Sequence, residues 1–158
     1  MIRIGIGYDL HRLKKGRRFL LGGAEIPFNK GEEGHSDGDV LAHAVCDALL
    51  GAAGLGDIGE LFPASDSRYK NADSMEILRT VFSCVKQAGF KIINIDCVII
   101  LEKPKVLDYR DVIRKSLAET LEIPVDCVFI KGKTAEGLGL VGKGKAVEAQ
   151  AVCLLSNE

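Results

Sequence analysis

Asp9 and His11 stand two residues apart in GYDLHR, and His43 follows with Asp39 and Asp47 four residues to either side of it. All three histidines of the chain, His11, His35 and His43, lie in this early segment. One carboxylate and two imidazoles suit a catalytic zinc, which takes three N or O protein ligands and keeps a fourth position open. A ligating imidazole usually donates its other N–H to a carboxylate, and Asp47 has the spacing to serve His43 in that way. Without a metal, the same pattern reads as a solvated polar helix face beside a hydrogen-bonded Asp-His pair.

Three further segments carry polar groups suited to a phosphorylated ligand. His35 and Ser36 precede a helix N-terminus, where free N–H groups and the dipole favour an anion, or where Ser36 simply caps the helix. Asp57 and Asp66 flank Phe62-Pro63 in a glycine-bearing loop, a combination able to hold vicinal hydroxyls beside an apolar surface. KTAEGLGLVGKGK offers glycine-rich backbone for phosphate oxygens, and Glu136 there suits a hard cation such as Mg²⁺. It lacks the GxxxxGK[ST] pattern of a P-loop, and a flexible hairpin is the plain alternative.

The elements that must position these groups follow from periodicity. Residues 2 to 8 alternate, with Ile2, Ile4, Ile6 and Tyr8 on one face and Arg3, Gly5 and Gly7 on the other. Continued to residue 11, the strand points Asp9 and His11 to the glycine side, read as open space. A second strand is expected over 18–28, then a polar loop. A helix follows, with Ser36 and Asp39 at capping-box spacing and Gly54 as its stop. After a long loop come a helix near 73–88, strand KIINIDCVIIL, the turn EKPKV, a helix near 107–121, strand CVFIKG and a final strand AVEAQAVCLL.

This order predicts an α+β fold: a single-layer mixed sheet with helices packed on one face, built from ferredoxin-like βαβ units. The sheet's other face is also apolar and calls for a partner subunit to cover it. At 158 residues and 47% apolar content, the chain is expected to form one domain over 1–158. A formal net charge of −1 argues against nucleic acid as a partner. Five scattered cysteines without a CxxC pair read as buried free thiols of a reducing compartment. No apolar run has the length of a membrane span, so a cytoplasmic protein is expected, or an organellar one if a transit peptide has been removed.

GYDLHR, the block IPFNKGEEGHSDGDVLAHAVCDALLGAAGLGDIGELFP, the motif ADSMEILR, the turn KPK and the segment KTAEGLG together resemble the 2-C-methyl-D-erythritol 2,4-cyclodiphosphate synthase family of the methylerythritol-phosphate route to isoprenoids. The similarity runs from residue 2 to about 155. It implies conversion of 4-diphosphocytidyl-2-C-methyl-D-erythritol 2-phosphate to the cyclic diphosphate and CMP, in a homotrimer with active sites between adjacent subunits. By the resemblance, zinc is held by Asp9, His11 and His43, and a second cation, Mg²⁺ or Mn²⁺, by Glu136. His35 and Thr134 stand beside the reacting phosphates, with Ser36, Lys133 and Ala135 close by.

The resemblance also places Asp57, Ile58 and Gly59 at the ribose, and Phe62, Pro63, Ala64, Ser65 and Asp66 at the methylerythritol end. Leu101, Glu102, Lys103, Pro104, Lys105, Val106 and Leu107 cradle cytosine. Leu140 and Lys143 complete the implied contacts, although many members carry Phe and Arg there. With Lys145 and Gln150 replacing glutamates, these departures weaken the expectation of an isoprenoid or anion on the trimer axis. A zinc phosphohydrolase and a non-enzymatic cytidine-nucleotide-binding trimer are the competing readings.

Overall fold

The computed structural model describes residues 1–158. Seven strands and five helices follow one another as β1 (Ile2–Lys15), β2 (Leu20–Leu21), β3 (Ala24–Glu25), β4 (Lys30–Glu33), α1 (Val40–Ala53), α2 (Ile58–Leu61), α3 (Ser74–Gln87), β5 (Lys91–Ile100), α4 (Arg110–Thr120), β6 (Val128–Lys133), α5 (Gly139–Gly142) and β7 (Ala146–Ser156). Five strands form one mixed sheet in the order β4-β1-β7-β5-β6. Only β5 and β6 pair in parallel. Two βαβ passages result. One runs from β1 through α1 and α3 to β5, with β7 inserted antiparallel between the two strands; the other is β5-α4-β6 with adjacent strands.

The helices lie on one side of this sheet, as expected. Helix α1 packs on β1 and β7, α3 packs on α1, and α4 lies over β6. Ile95, Cys97, Ile99, Ala149, Ala151 and Cys153 meet them in a cluster of 37 buried residues. The uncovered face carries Ile2, Ile4, Ile6, Tyr8 and Leu10, which are 47–72% exposed. No helix is long and apolar enough to cross a membrane.

Close packing overturns the reading of the glycine face of β1 as open space. A Cβ on Gly5 would come within 1.9 Å of the Ala48 carbonyl oxygen, and one on Gly7 within 1.8 Å of that of Ala44. The helix backbone fills the room that the glycines vacate, and the isoleucine face of β1 is the exposed one.

The expected strand over 18–28 is replaced by the separate hairpin β2-β3, turned by Gly22 and Gly23 at positive φ. Residues 30–33, read as loop, form edge strand β4 against β1. Polar composition hid it, because an edge strand with one wet side needs no apolar run. The helix expected near 107–121 opens as a 3-10 turn over Val106–Tyr109 before α4. Of the five free cysteines, Cys46, Cys97 and Cys153 are buried, but Cys84 and Cys127 are only partly so.

Candidate metal centre and flanking cavities

Close approach of α1 to β1 is what brings three potential ligands together. Asp9 and His11 project from β1 toward the helix, and His43 lies one turn into α1. Asp9 Oδ2 is 2.7 Å from His11 Nε2 and 3.0 Å from His43 Nδ1, and the two imidazole nitrogens are 3.3 Å apart. One ligand atom from each residue falls within a 4.8 Å cluster. The donor set fits a zinc ion with an open position.

The other polar atoms of these side chains are also engaged. His11 Nδ1 is 3.0 Å from the Glu33 carbonyl oxygen on β4, and Leu10 N–H donates to Asp9 Oδ1 at 2.8 Å. Burial acts to raise the Asp9 pKa, but hydrogen bonds from His11 and His43 outweigh it and bring the carboxyl well below its usual range. Burial also acts to lower the His11 pKa; the hydrogen bond to Asp9 reverses this and leaves it raised.

Asp47 does not serve His43. Its carboxylate accepts the Ile58 N–H at 2.8 Å and so ties the start of α2 to α1. His43 Nε2 instead faces two hydroxyls, Ser74 Oγ at 2.9 Å and Ser36 Oγ at 3.1 Å. Helical spacing suggested Asp47, but Ser74 reaches His43 from α3, a contact across 31 residues that no local period encodes.

At the N-terminus of α1, read as an anion site or as a Ser36 cap, protein carboxylates take the free N–H groups. Asp39, not Ser36, is the N-cap, and its Oδ1 accepts the Ala42 N–H at 2.9 Å. Glu32 accepts the Val40 N–H at 3.1 Å. The same two carboxylates accept N–H groups of Leu20, Gly22 and Gly23, fastening the β2-β3 hairpin to the helix. Both are fully buried, and burial pushes both pKa values up against those hydrogen bonds.

A cavity of about 270 Å³ opens over the metal cluster. His35, Ser36, Asp47, Ile58, Gly59, Phe62, Ala64, Tyr69 and Ile77 complete its wall. Tyr69 was not anticipated; it stacks edge-on against Phe62 with ring centroids 5.2 Å apart. Asp57 and Asp66 are spent locally. Asp57 caps α2 through the Glu60 N–H, and Asp66 caps the 3-10 turn Ser67–Tyr69 while pairing with Arg68 at 2.6 Å. Neither they nor Pro63 and Ser65 line the cavity.

A second cavity of about 250 Å³ is walled by Leu101, Glu102, Lys105, Val106, Leu107, Arg110, Gly132, Lys133 and Thr134. Lys103 and Pro104 belong to the adjoining turn but not to that wall. Glu102 accepts the Ala135 N–H at 3.2 Å, and the Thr134 hydroxyl donates to Glu136 at 3.3 Å. Glu136 takes φ 53°, a left-handed conformation that a side chain rarely adopts, which turns its exposed carboxylate beside Thr134. Leu140, in α5, and Lys143, at its end, lie exposed outside both cavities.

The two cavities share no lining residue. They sit at the same end of the sheet: Leu10 pairs with Glu148, Glu148 with Ile100, and Ile100 with Lys133. Three interstrand steps, about 14 Å, separate them.

Known proteins supply the context for this arrangement. A protein of Treponema denticola named 2-C-methyl-D-erythritol 2,4-cyclodiphosphate synthase is 58% identical over 154 residues, covering 98% of this chain and 96% of the relative. One of the same name from Clostridium acetobutylicum is 51% identical, covering 98% and 99%. A solved structure of such a synthase with CDP bound matches with a TM-score of 0.89 and 42% identity over 98% of this chain and all of the other. Matched by the YgbB family across residues 2–156, with relatives of full length at this identity, the chain belongs to that family.

Proposed function

We propose that the chain converts 4-diphosphocytidyl-2-C-methyl-D-erythritol 2-phosphate to 2-C-methyl-D-erythritol 2,4-cyclodiphosphate with release of CMP, a step of non-mevalonate isoprenoid biosynthesis. The observation that carries this reading is the Asp9, His11 and His43 cluster opening into a cavity, in a chain 58% identical to a synthase of that name. The three side chains would hold zinc. Glu136 contributes a single carboxylate, so a second divalent cation there, Mg²⁺ or Mn²⁺, would take its other ligands from substrate phosphates and water. Bound metals would supply neutralisation of the charge that builds on the β-phosphate and the departing CMP.

No protein nucleophile is needed. An oxygen of the 2-phosphate bonds to the β-phosphorus as the bond from that phosphorus to the CMP oxygen breaks, and the electron pair leaves on CMP. Because nucleophile and electrophile belong to one molecule, holding them in line supplies a large effective molarity. His35 at the cavity mouth and Thr134 on the second wall steady the phosphate oxygens. Phe62, Ala64 and Tyr69 give an apolar surface for the methylerythritol carbons and exclude water. Asp57 and Gly59 take the ribose hydroxyls, with the Asp57 carboxylate keeping its cap on α2. The pocket from Leu101 to Leu107 takes cytosine.

The separation of the two cavities supports a catalytic site shared between copies. We place the metal cluster of one subunit against the Thr134 and Glu136 loop of the next, in a trimer closed over the exposed β1 face. Incubation of the zinc-loaded protein with the substrate in ¹⁸O-water tests the reaction. Cyclic product free of solvent oxygen, formed one for one with CMP, is the expected result. A linear phosphate carrying ¹⁸O would replace it with a zinc phosphohydrolase, and CDP binding without turnover would leave a nucleotide-binding module.

A further inference from the structure

We propose that Ser74 and Asp37 are positioning residues that fix which nitrogen of His43 faces the metal. Ser74 is fully buried at the start of α3, and its Oγ is 2.9 Å from His43 Nε2. The same hydroxyl donates to Asp37 Oδ1. A carboxylate accepts only, so Ser74 spends its single proton on Asp37 and presents a lone pair to the imidazole. Asp9, 3.0 Å from Nδ1, accepts from that nitrogen when it is protonated; the Ser74 lone pair favours the other tautomer, with the proton on Nε2 and Nδ1 left as the electron-pair donor for a metal.

The surroundings hold this polarity in place. Asp37 Oδ2 accepts the Ser74 N–H at 3.0 Å, and Oδ1 also accepts the Asp39 N–H at 3.1 Å, so both oxygens are fixed as acceptors. Two backbone bonds, Asn71 N–H to His35 O at 2.8 Å and Asp37 N–H to Ala72 O at 3.1 Å, clamp the segment before α1 to the one before α3. Ser36 is compatible with this direction: its Oγ accepts the Gly38 N–H at 3.2 Å, can pass its own proton to Ser74 Oγ at 3.4 Å, and has a second lone pair for His43 Nε2 at 3.1 Å. Asp37, half-buried, borders a separate cavity of about 510 Å³ beside Arg18, Asn71 and Asp73, so the chain of contacts joins the metal cluster to the wall of that cavity.

This inference rests on zinc binding by Asp9, His11 and His43. Its test is zinc affinity by chelator competition, with ¹⁵N spectra of the imidazoles in the metal-free protein. Asp37→Ala removes the acceptor, so the Ser74 hydroxyl is free to donate to His43 and favours the wrong tautomer. We expect zinc affinity to fall about 10- to 100-fold and the His43 Nε2–H signal to be lost. Should that variant fail to fold, Ser74→Ala removes the hydroxyl alone and carries the same expectation. Asp47→Asn, on the same helical stripe without touching His43, is expected to leave zinc affinity where it was.

Parent affinity and an intact Nε2–H signal in both relay variants would overturn the inference while leaving the zinc site standing. An equal fall in Asp47→Asn would reduce the effect to general electrostatics and likewise overturn it. A parent protein whose zinc uptake is indifferent to His43→Ala would overturn the zinc reading and this inference together.

Discussion

At the residue scale, the metal cluster was legible because two short-range rules converge on it. Period-two alternation puts Asp9 and His11 on one face of a strand, and the only other histidine on a regular element is His43. The partners of that cluster were not legible. Ser74 and the Glu33 carbonyl come from elements whose approach depends on the whole fold, and Asp47 had the better spacing for a role it does not take. Glu32 shows the same limit more sharply. In sequence it belongs to a polar loop, yet it is fully buried and accepts two backbone N–H groups, from Leu20 and Val40. Burial, aided by the nearby Asp39 charge, raises its pKa well above the ordinary 4.5. A carboxyl raised on folding binds its proton more tightly in the native state. Its contribution to stability is therefore fully present below 4.5 and is lost as pH rises toward the folded value. Urea unfolding between pH 5 and 8 should show this decline, and Glu32→Gln should flatten it; an unchanged slope in the variant would remove Glu32 as its origin.

At the element scale, site geometry depends on how closely α1 lies on β1. Gly5 and Gly7 facing Ala44 and Ala48 bring the helix backbone against the strand, and His43 then reaches Asp9. The glycines were visible in the sequence, but a gap and a close approach look alike until the partner is known. Gly7→Ala adds one methyl where the Ala44 carbonyl already sits. We expect a loss of about 1–3 kcal/mol of stability, the usual range for overpacking, together with weaker zinc binding because His43 moves with its helix. Calorimetry of the metal-free protein and chelator competition separate the two effects. Asp39→Ala probes the other attachment of α1. It strands the N–H groups of Gly22, Gly23 and Ala42, of which those of Gly22 and Ala42 are buried. A cost of about 2–4 kcal/mol is expected, and the β2-β3 hairpin should lose hydrogen-exchange protection before the sheet does.

At the scale of the whole molecule, one copy presents two separate cavities and an exposed apolar sheet face. The apolar alternation of β1 was read from sequence, and so was the need for a cover on one face of the sheet; which residues face outward became clear only once the glycines were seen against α1. Ile4 and Ile6 are each 72% exposed, and Val152, cross-strand from Ile6, is 38% exposed. A contiguous patch of this kind on a sheet marks an interface. A lysine in place of Ile6 would have to bury its charge on assembly, while in the isolated chain it stands in water at little cost. Sedimentation should therefore give the mass of three copies for the parent and one for Ile6→Lys. The variant should still bind zinc, because all three ligands come from a single chain. On the shared-site proposal its CMP release should collapse, since no neighbouring Thr134 and Glu136 loop would then meet the metal cluster. Mixing Ile6→Lys with His43→Ala gives no rescue in that case, because the former cannot join a trimer. Mixing His43→Ala with Glu136→Ala should restore activity, as a heterotrimer then pairs an intact metal cluster with an intact loop. Turnover by a zinc-loaded monomer would show that one chain suffices, and the shared-site arrangement would fall.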